Sequence, residues 1–430
     1  MKANVIHGDF NPCGGAERVS LITMDALFQM GIDDVDLTTL TSPNTSKLEN
    51  TFGKNIVSVL KRITKINVID ILEELQKARA LENVENYEYD LTINTNGDAA
   101  PYYHPSFSKE NTITYCHFPT TKFHIDSENS VYLETDLAMT ETSNNSFSET
   151  KYHREINKSK NCKATIRFRG KKECFEIIKY GYWNLLRNST LITNSQFSRR
   201  EIINALGLNY KNNDDKSNIH ILSPPVDIET FRNVDSTNEG HEKRRDNILV
   251  ITRIDPHKKI ENAINLAKIL KDNKIGRTMK IVGNLYHWYY DYYPKLEQMV
   301  IDLGLTDYIT FEINASLDKL LSIMRESRVY FHPMVGEHFG ISVIEAMAAG
   351  LIPIVPAEGG LAEFVPKEYQ FCNIEQAAKI IESIFNNLSK PNRITLREDY
   401  INKFSSSNYI ESFHGILDKL LSRKNNVYAD

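Results

Sequence analysis

Residues 329–350 read VYFHPMVGEHFGISVIEAMAAG, and the change of period inside them decides the fold. Residues 329–332 form a short apolar run of strand type, closed by Pro333. Residues 340–349 carry apolar side chains almost all round, the pattern of a buried helix. A strand that feeds a helix through a Gly-containing loop is the unit from which parallel α/β sheets are built. The N–H groups of Phe339, Gly340 and Ile341 then fall at a helix N-terminus, where the peptide dipoles favour an anion such as a phosphate. Glu337 stands just before that helix and Glu345 about a turn and a half into it. One carboxylate can contact a sugar hydroxyl while the other takes a ribose diol. The alternatives are a charge favoured by the helix dipole for Glu337 and a solvated face for Glu345. The flank of Ile341, Val343, Ile344, Ala346, Met347 and Ala348 argues against a solvated face, because a carboxylate on a buried helix needs a partner.

The same alternation continues on both sides. Residues 248–251 (ILVI) read as a strand, 260–270 as a helix, 279–282 as a strand and 293–303 as a helix. After them come 309–311, 317–326 and, beyond the quoted stretch, 353–355. The loop TRIDPHKK (252–259) follows the first of these strands. Arg253 and Lys258 bracket its proline, so both can turn to one anion at the strand's carboxyl end. A planar guanidinium beside a point-charge ammonium suits a diphosphate; otherwise they are two solvated surface cations.

The first half repeats the logic. Residues 3–7 (ANVIH) are a strand ending in a Gly-containing loop, and 16–30 have helical apolar spacing. Residues 35–40, 90–94, 112–115 and 191–194 are further strands, and Ser195 is placed to cap a helix through Leu206. Gly14 and Gly15 lie between the first strand and the first helix, either to let backbone N–H groups approach a phosphate or as a plain tight turn. His117, in Cys116-His117-Phe118-Pro119, is either a site residue or an ordinary loop histidine. Asp34-Val35-Asp36 has the form of a metal-binding triplet, but it opens a strand far from the other motifs and reads better as surface carboxylates.

Residues 223–247 open with Pro224-Pro225, run through Asn238-Glu239-Gly240 and are polar and charged, which makes them the expected linker. Two α/β halves joined by a linker imply two doubly wound domains facing a central cleft, with ligands outside the carboxyl ends of the strands. The expected division is 1–222 for the first domain and 223–406 for the second. A C-terminal helix from about residue 407, apolar at Tyr409, Ile410, Phe413, Ile416, Leu417 and Leu420, then completes the first domain.

Length and composition agree. At 430 residues the chain holds two or three domains at ~150 residues each. With 41% hydrophobic and 25% charged residues it is globular rather than disordered. A net charge of −5 gives no general basic excess for nucleic acid. There is no apolar run long enough for a transmembrane helix and no signal-peptide pattern. Five scattered cysteines (Cys13, Cys116, Cys162, Cys174, Cys372) without a CxxC pair fit reduced thiols in a cytoplasmic setting and argue against structural zinc.

The spacing of Glu337 and Glu345, with the Arg253/Lys258 loop and Gly14-Gly15 before them, resembles the retaining GT-B glycosyltransferases of family 4. The segments 14–19 (GGAERV), 115–120 (YCHFPT), 222–231 (LSPPVDIETF), 303–314 (LGLTDYITFEIN) and 337–344 (EHFGISVI) look most like the lipid-linked-oligosaccharide α-1,2-mannosyltransferases of asparagine-linked glycosylation. The resemblance implies two Rossmann-like domains, a GDP-mannose donor, a polyisoprenyl-diphosphate glycan acceptor at the cytosolic membrane face, and no metal. It implies that Gly15 lets its loop approach the donor phosphates and that His117 sits beside the transferred sugar. Arg253 and Lys258 hold the diphosphate, Glu337 binds sugar hydroxyls, Phe339, Gly340 and Ile341 offer N–H groups, and Glu345 binds ribose. Three departures stand out: no N-terminal membrane anchor, a glycine run cut to two, and Leu361 where a proline usually follows Gly359-Gly360.

Two basic stretches imply an anionic membrane surface. In 54–67, Ile56, Val59, Leu60, Ile63 and Ile66 share one helical face, with Lys54, Lys61, Arg62 and Lys65 on the other. Residues 151–187 hold eleven basic residues against three acidic, a net of +8, with aromatics interleaved. Arg167, Arg169, Lys171, Lys172 and Trp183 are its candidate acceptor and membrane contacts. Alternatives are packing helices with solvated lysines, a family 4 transferase using a UDP-sugar, and a non-catalytic nucleotide-sugar-binding subunit. A glycan phosphorylase would need a buried lysine for pyridoxal phosphate and usually a longer chain.

Overall fold

The computed structural model describes residues 1–69, 89–98, 112–122, 186, 189–207, 219–232, 234, 246–286, 289–386 and 401–427. The chain divides into two compact units. Met1–Asn194, Ser198–Leu222 and Ile410–Asp430 form the first; Ser195–Phe197 and Ser223–Tyr409 form the second.

In the first unit the described strands are β1 (Lys2–Ile6), β2 (Asp34–Thr39), β3 (Lys65–Val68), β4 (Leu91–Asn94), β5 (Thr112–Tyr115), β6 (Thr190–Thr193) and β7 (Ile219–Ile221). They pair in parallel in the order β3-β2-β1-β4-β5-β6-β7. Ala3 pairs with Val35 on one side and Leu91 on the other, so β1 is central, and β4 and β5 are buried along their whole length. Both strands alternate apolar residues with Thr or Asn, and the polar members are buried as well, as in a sheet covered on both faces. The Gly15–Gln29 helix returns over the sheet and buries Val19, Leu21, Ile22, Met24, Ala26 and Leu27. The strand order reverses between β1 and β4, and a sheet of this kind opens for a ligand at such a point. The loops that leave β1 and β4 there carry His7 and Thr95.

The second unit repeats the plan with β8 (Ile248–Ile251), β9 (Met279–Gly283), β10 (Ile309–Ile313), β11 (Val329–Phe331), β12 (Ile352–Pro356) and β13 (Gln370–Phe371), in the order β10-β9-β8-β11-β12-β13, all parallel. Alternate residues feed two separate cores. Ile248, Val250, Val329, Phe331, Ile352 and Ile354 face the helices Ile260–Asp272, Tyr293–Asp302 and Ile374–Asn386. Leu249, Tyr330 and Val355 face Leu317–Glu326 and Ile341–Ala348. The period of two that places one side chain on each face is the reason both helical layers are needed. Truncating one of these fully buried residues to alanine costs about 2–5 kcal/mol. The order reverses between β8 and β11, so the loops carrying Lys258 and Glu337 leave the sheet side by side.

The structure corrects three expectations. Residues 54–67 do not form one helix. Lys54–Val57 is a single turn, Ser58–Lys61 is 3-10, and Lys65 to Val68 pair as a strand with Asp36 to Thr39. Sheet pairing overrides the helical spacing there, and Ile66 is 42% exposed rather than on an apolar helix face. The stretch 223–247 is not simply a linker, because Val226, Ile228, Phe231 and Val234 are buried in the core of the second unit. Asp36 is not a surface carboxylate; it is buried, accepts a hydrogen bond from the Tyr89 hydroxyl and pairs with Lys2. No helix among the described residues is long and apolar enough to cross a membrane.

Candidate functional site

In the second unit the loop after β8 is shaped by Asp255. Its buried carboxylate accepts the His257 backbone N–H at 2.8 Å and pairs with Arg253 at 3.4 Å and with the His257 ring at 2.9 Å. Pro256 then starts the 3-10 turn Pro256–Lys258, where its missing N–H is no loss. That turn brings Lys258 Nζ to 2.6 Å from Glu337 Oε2. The Asn262 side chain donates to the Pro333 carbonyl at 2.9 Å, tying the loop after β11 to the Ile260–Asp272 helix. Lys258 and Glu337 are thus brought together, while the half-exposed Arg253 stays on Asp255.

The backbone around Glu337 is clamped by glycines. The Gly360 N–H donates to the Glu337 carbonyl at 2.8 Å, and Gly359, at φ +113°, leaves room that a Cβ would close to 2.7 Å from that oxygen. Gly340 takes φ +90° and, having no side chain, caps the Ile341–Ala348 helix without a side-chain hydrogen bond. A Cβ at Gly340 would lie 2.0 Å from Leu361 Cδ2. Leu361, the residue that departs from the family pattern, is therefore packed against the helix cap. Phe339 anchors the turn by packing its buried ring on Phe364 and Phe404, with centroids at 5.5 and 5.8 Å. Glu345 lies on the same helix and is partly buried.

Electrostatics here are dominated by desolvation and its compensation. Burial pushes the Glu337 carboxyl up, but Lys258, His332 and His338 outweigh it and hold the group well below the usual carboxylate range. Burial pushes His338 down to about 4, so its ring is neutral near pH 7. Behind Glu337, the buried Tyr330 hydroxyl lies 3.1 Å from His332 Nδ1 and 2.9 Å from Ser342 Oγ. Burial raises the Tyr330 hydroxyl as well, keeping its proton in place.

The first unit joins its own candidates through a buried chain of contacts. The Glu17 carboxylate accepts the Gly14 N–H, and its other oxygen is 3.4 Å from His7 Nε2. His7 Nδ1 lies 3.1 Å from Thr95 Oγ1, and the Thr95 carbonyl lies 3.1 Å from His117 Nε2. Gly14 and His117 are thereby linked, and Gly15 is the first residue of the helix. Burial raises the Glu17 carboxyl, but His7 and the Gly14 N–H bring it below its ordinary value. A carboxylate therefore already occupies this helix start.

The membrane candidates are placed differently from the spacing argument. Lys61 ends the 3-10 turn, Lys65 opens the edge strand β3, and Arg62 stacks 4.0 Å over Phe28 while pairing with Asp33 at 3.2 Å. Arg167, Arg169, Lys171, Lys172 and Trp183 lie outside the described residues. Sequence reasoning missed His332, Tyr330, Ser342, His7, Glu17 and Thr95 as functional neighbours. His332 and Glu17 stood inside or beside quoted motifs. Ser342 also stood inside the quoted 337–344 segment, on the helix; for Tyr330, His7 and Thr95 the only signal was a polar residue in or beside an apolar strand.

Comparisons with known proteins point to a glycosyltransferase. Residues 231–400 match the family described as glycosyl transferases group 1, so the second unit carries a glycosyltransferase group 1 domain. The chain is 29% identical over 221 residues to the GDP-Man:Man(3)GlcNAc(2)-PP-Dol alpha-1,2-mannosyltransferase of Mus musculus, covering 47% of this chain and 44% of that protein. It is 26% identical over 223 residues to the enzyme of the same name from Dictyostelium discoideum, covering 48% and 43%. The chain thus spans less than half the length of these curated relatives. The solved structure of Anabaena Alr3699/HepE in complex with UDP superposes with a TM-score of 0.62 at 16% identity, covering 97% of this chain and 100% of that one. The two α/β units with parallel sheets have the GT-B glycosyltransferase fold.

Proposed function

We propose that the protein is a retaining, metal-independent mannosyltransferase that moves mannose from GDP-mannose to a polyisoprenyl-diphosphate oligosaccharide at the cytosolic face of a membrane. The observation that carries this reading is the Lys258–Glu337 pair, held 2.6 Å apart where the strand order reverses and next to the uncapped start of the Ile341–Ala348 helix. A nucleotide sugar needs cations and N–H groups for its diphosphate and a carboxylate for its sugar hydroxyls, and these groups converge here.

In this account Arg253, Lys258 and the helix start hold the diphosphate and neutralise charge as the sugar C1–O bond breaks. Glu337 orients the sugar and Glu345 takes the ribose. The acceptor oxygen forms the new bond, and its proton passes to the departing diphosphate. The curated relatives, named for GDP-Man and a PP-Dol glycan, support the donor and acceptor. Lys61 and Lys65, beside exposed Ile66 and Val68, are the described residues offered to an anionic membrane surface.

A second reading, the same chemistry with a UDP-sugar, is favoured by the UDP held in the Anabaena structure. Transfer assays decide between them, using radiolabelled GDP-mannose, UDP-glucose and UDP-N-acetylglucosamine with a polyprenyl-diphosphate oligosaccharide in anionic vesicles and excess chelator. Mannose transfer, lost in Glu337→Ala, supports the first reading. Transfer from a UDP-sugar alone replaces it with the second. Absence of transfer from every donor, with nucleotide binding intact, favours a binding subunit.

A further inference from the structure

Lys258 is asked to do two things in the proposed function, which this inference takes as its premise. It pairs with Glu337 in the ligand-free protein, and it turns to the diphosphate when donor arrives. The second task strips a half-closed carboxylate of its cation; the side chains of Glu337 and Lys258 are only 12% and 19% exposed. A carboxylate left so without a partner takes up a proton or loses its orientation.

His332 stands at the place where a replacement is needed. Its Nε2 lies 3.5 Å from Oε2 of Glu337, the same oxygen that Lys258 occupies at 2.6 Å. Its side chain is 3% exposed, and among the described residues Nε2 has no hydrogen-bond partner. The opposite nitrogen, Nδ1, faces the Tyr330 hydroxyl at 3.1 Å. Ser342 Oγ, 2.9 Å from that hydroxyl, can donate to it; the tyrosine proton then has two acceptors, the Ile251 carbonyl at 3.4 Å and the nearer Nδ1. A neutral imidazole that accepts at Nδ1 carries its hydrogen on Nε2, directed at Glu337. The second oxygen of Glu337 already accepts the His338 backbone N–H at 3.2 Å.

We propose that His332 is a positioning residue that takes over Oε2 of Glu337 when Lys258 leaves it for the donor diphosphate, so that the carboxylate stays ionised and aimed at the sugar. The hand-over needs a contraction of well under 1 Å from the observed 3.5 Å to reach ordinary hydrogen-bond length. Ser342, Tyr330 and His332 form the rigid backing that fixes which nitrogen donates. The charged and titratable groups facing Glu337 are Lys258 from the loop after β8, His332 at the end of β11, and His338 on its own loop. Tyr330 and Glu345 lie within electrostatic reach of the same cluster.

The test removes Lys258 by mutation, which imitates its departure without any nucleotide and so fails or succeeds apart from the donor reading. The full-length chain is labelled with carboxyl-13C glutamate, the Glu337 resonance is assigned by its loss in Glu337→Gln, and its midpoint is followed with pH. In Lys258→Met the proposal expects Glu337 to keep a midpoint at or below the free value of about 4.3. Adding His332→Phe raises the midpoint by at least about one pH unit, a tenfold gain in proton affinity. Adding His332→Gln instead, whose amide can donate to the same oxygen, holds it near the Lys258→Met value and covers the case in which the phenylalanine variant folds poorly. A midpoint well above 4.3 in Lys258→Met itself overturns the proposal, as does an equal midpoint in the methionine and methionine–phenylalanine proteins.

Discussion

Lys258 Nζ and Glu337 Oε2 are 2.6 Å apart although 79 residues separate them in the chain. Each is supplied by a loop that leaves a neighbouring strand, β8 and β11, at the place where the strand order reverses. The pair is therefore a product of sheet topology as much as of side-chain chemistry. An ion pair this enclosed is poorly screened, so the loss of one member is felt by the other.

Lys258→Ala and Glu337→Gln should each lower sugar transfer by on the order of 10²–10³, the size of effect seen when one preorganised electrostatic contact is lost. The two losses should come close to multiplying, because with donor bound Lys258 serves the diphosphate and Glu337 the sugar. Steady-state kinetics of the single and double variants check this. A double variant no slower than the worse single variant contradicts the separate roles.

Acid should weaken the fold in two steps. His338 has a folded value near 4, below the ~6.5 of the unfolded chain, so the unfolded state binds its proton first and stability falls as pH drops from about 6.5 to about 4. The Glu337 carboxyl is depressed, so its contribution is full above the unfolded value of ~4.3 and is lost as pH falls through its folded value. Urea unfolding at a series of pH values should show a slope of close to one proton in the upper window. That slope flattens in His338→Asn, while the lower step remains.

Gly340→Ala should destabilise the second unit by about 1–3 kcal/mol, since alanine at φ +90° is strained and its Cβ would meet Leu361 at 2.0 Å. Leu361→Ala in the same chain relieves the collision but not the dihedral, so chemical denaturation should show partial recovery. Full recovery would place the whole cost in Leu361.

Much of this architecture was legible in the sequence. The strand–loop–helix reading of 329–350 matches β11 and the Ile341–Ala348 helix to within a residue or so. The alternation in the second half holds because the central runs, in β8, β11 and β12, are buried on both faces. The stretch 54–67 misled because Ile66 falls at helical spacing while its pairing with Leu37 of β2 decides its conformation, and pairing is a long-range property. The candidate site was legible where a charged residue stood alone in a loop, as with Lys258, Arg253 and Glu337. It was not legible where a polar side chain lay in an apolar strand or at its end. Tyr330 and His332 read as strand filler until the fold turns them toward Ser342 and Glu337.

In the first unit, Glu17→Ala should cost about 1–3 kcal/mol, because the Gly14 N–H and His7 lose their buried acceptor. Glu17 is depressed in the folded state, so its contribution is present above ~4.3 and disappears as pH falls through the folded value. Chemical denaturation at pH 7 and pH 3.5 should therefore show a smaller difference between wild type and variant at the lower pH. An equal difference at both would remove the carboxylate from the account.

The central claim is that the second unit holds a nucleotide diphosphate between the β8 loop and the start of the Ile341–Ala348 helix. Calorimetric titration of GDP, GDP-mannose, UDP and UDP-glucose into the metal-free protein tests it most directly. The account predicts binding of GDP and GDP-mannose in roughly the 1 μM–1 mM range usual for enzyme substrates. It also predicts weakening of at least about tenfold, or 1.4 kcal/mol, in both Lys258→Ala and Arg253→Ala. Preference for the uridine ligands would keep the site and change the donor. No binding by any of the four, or affinities unchanged in both variants, would contradict the claim.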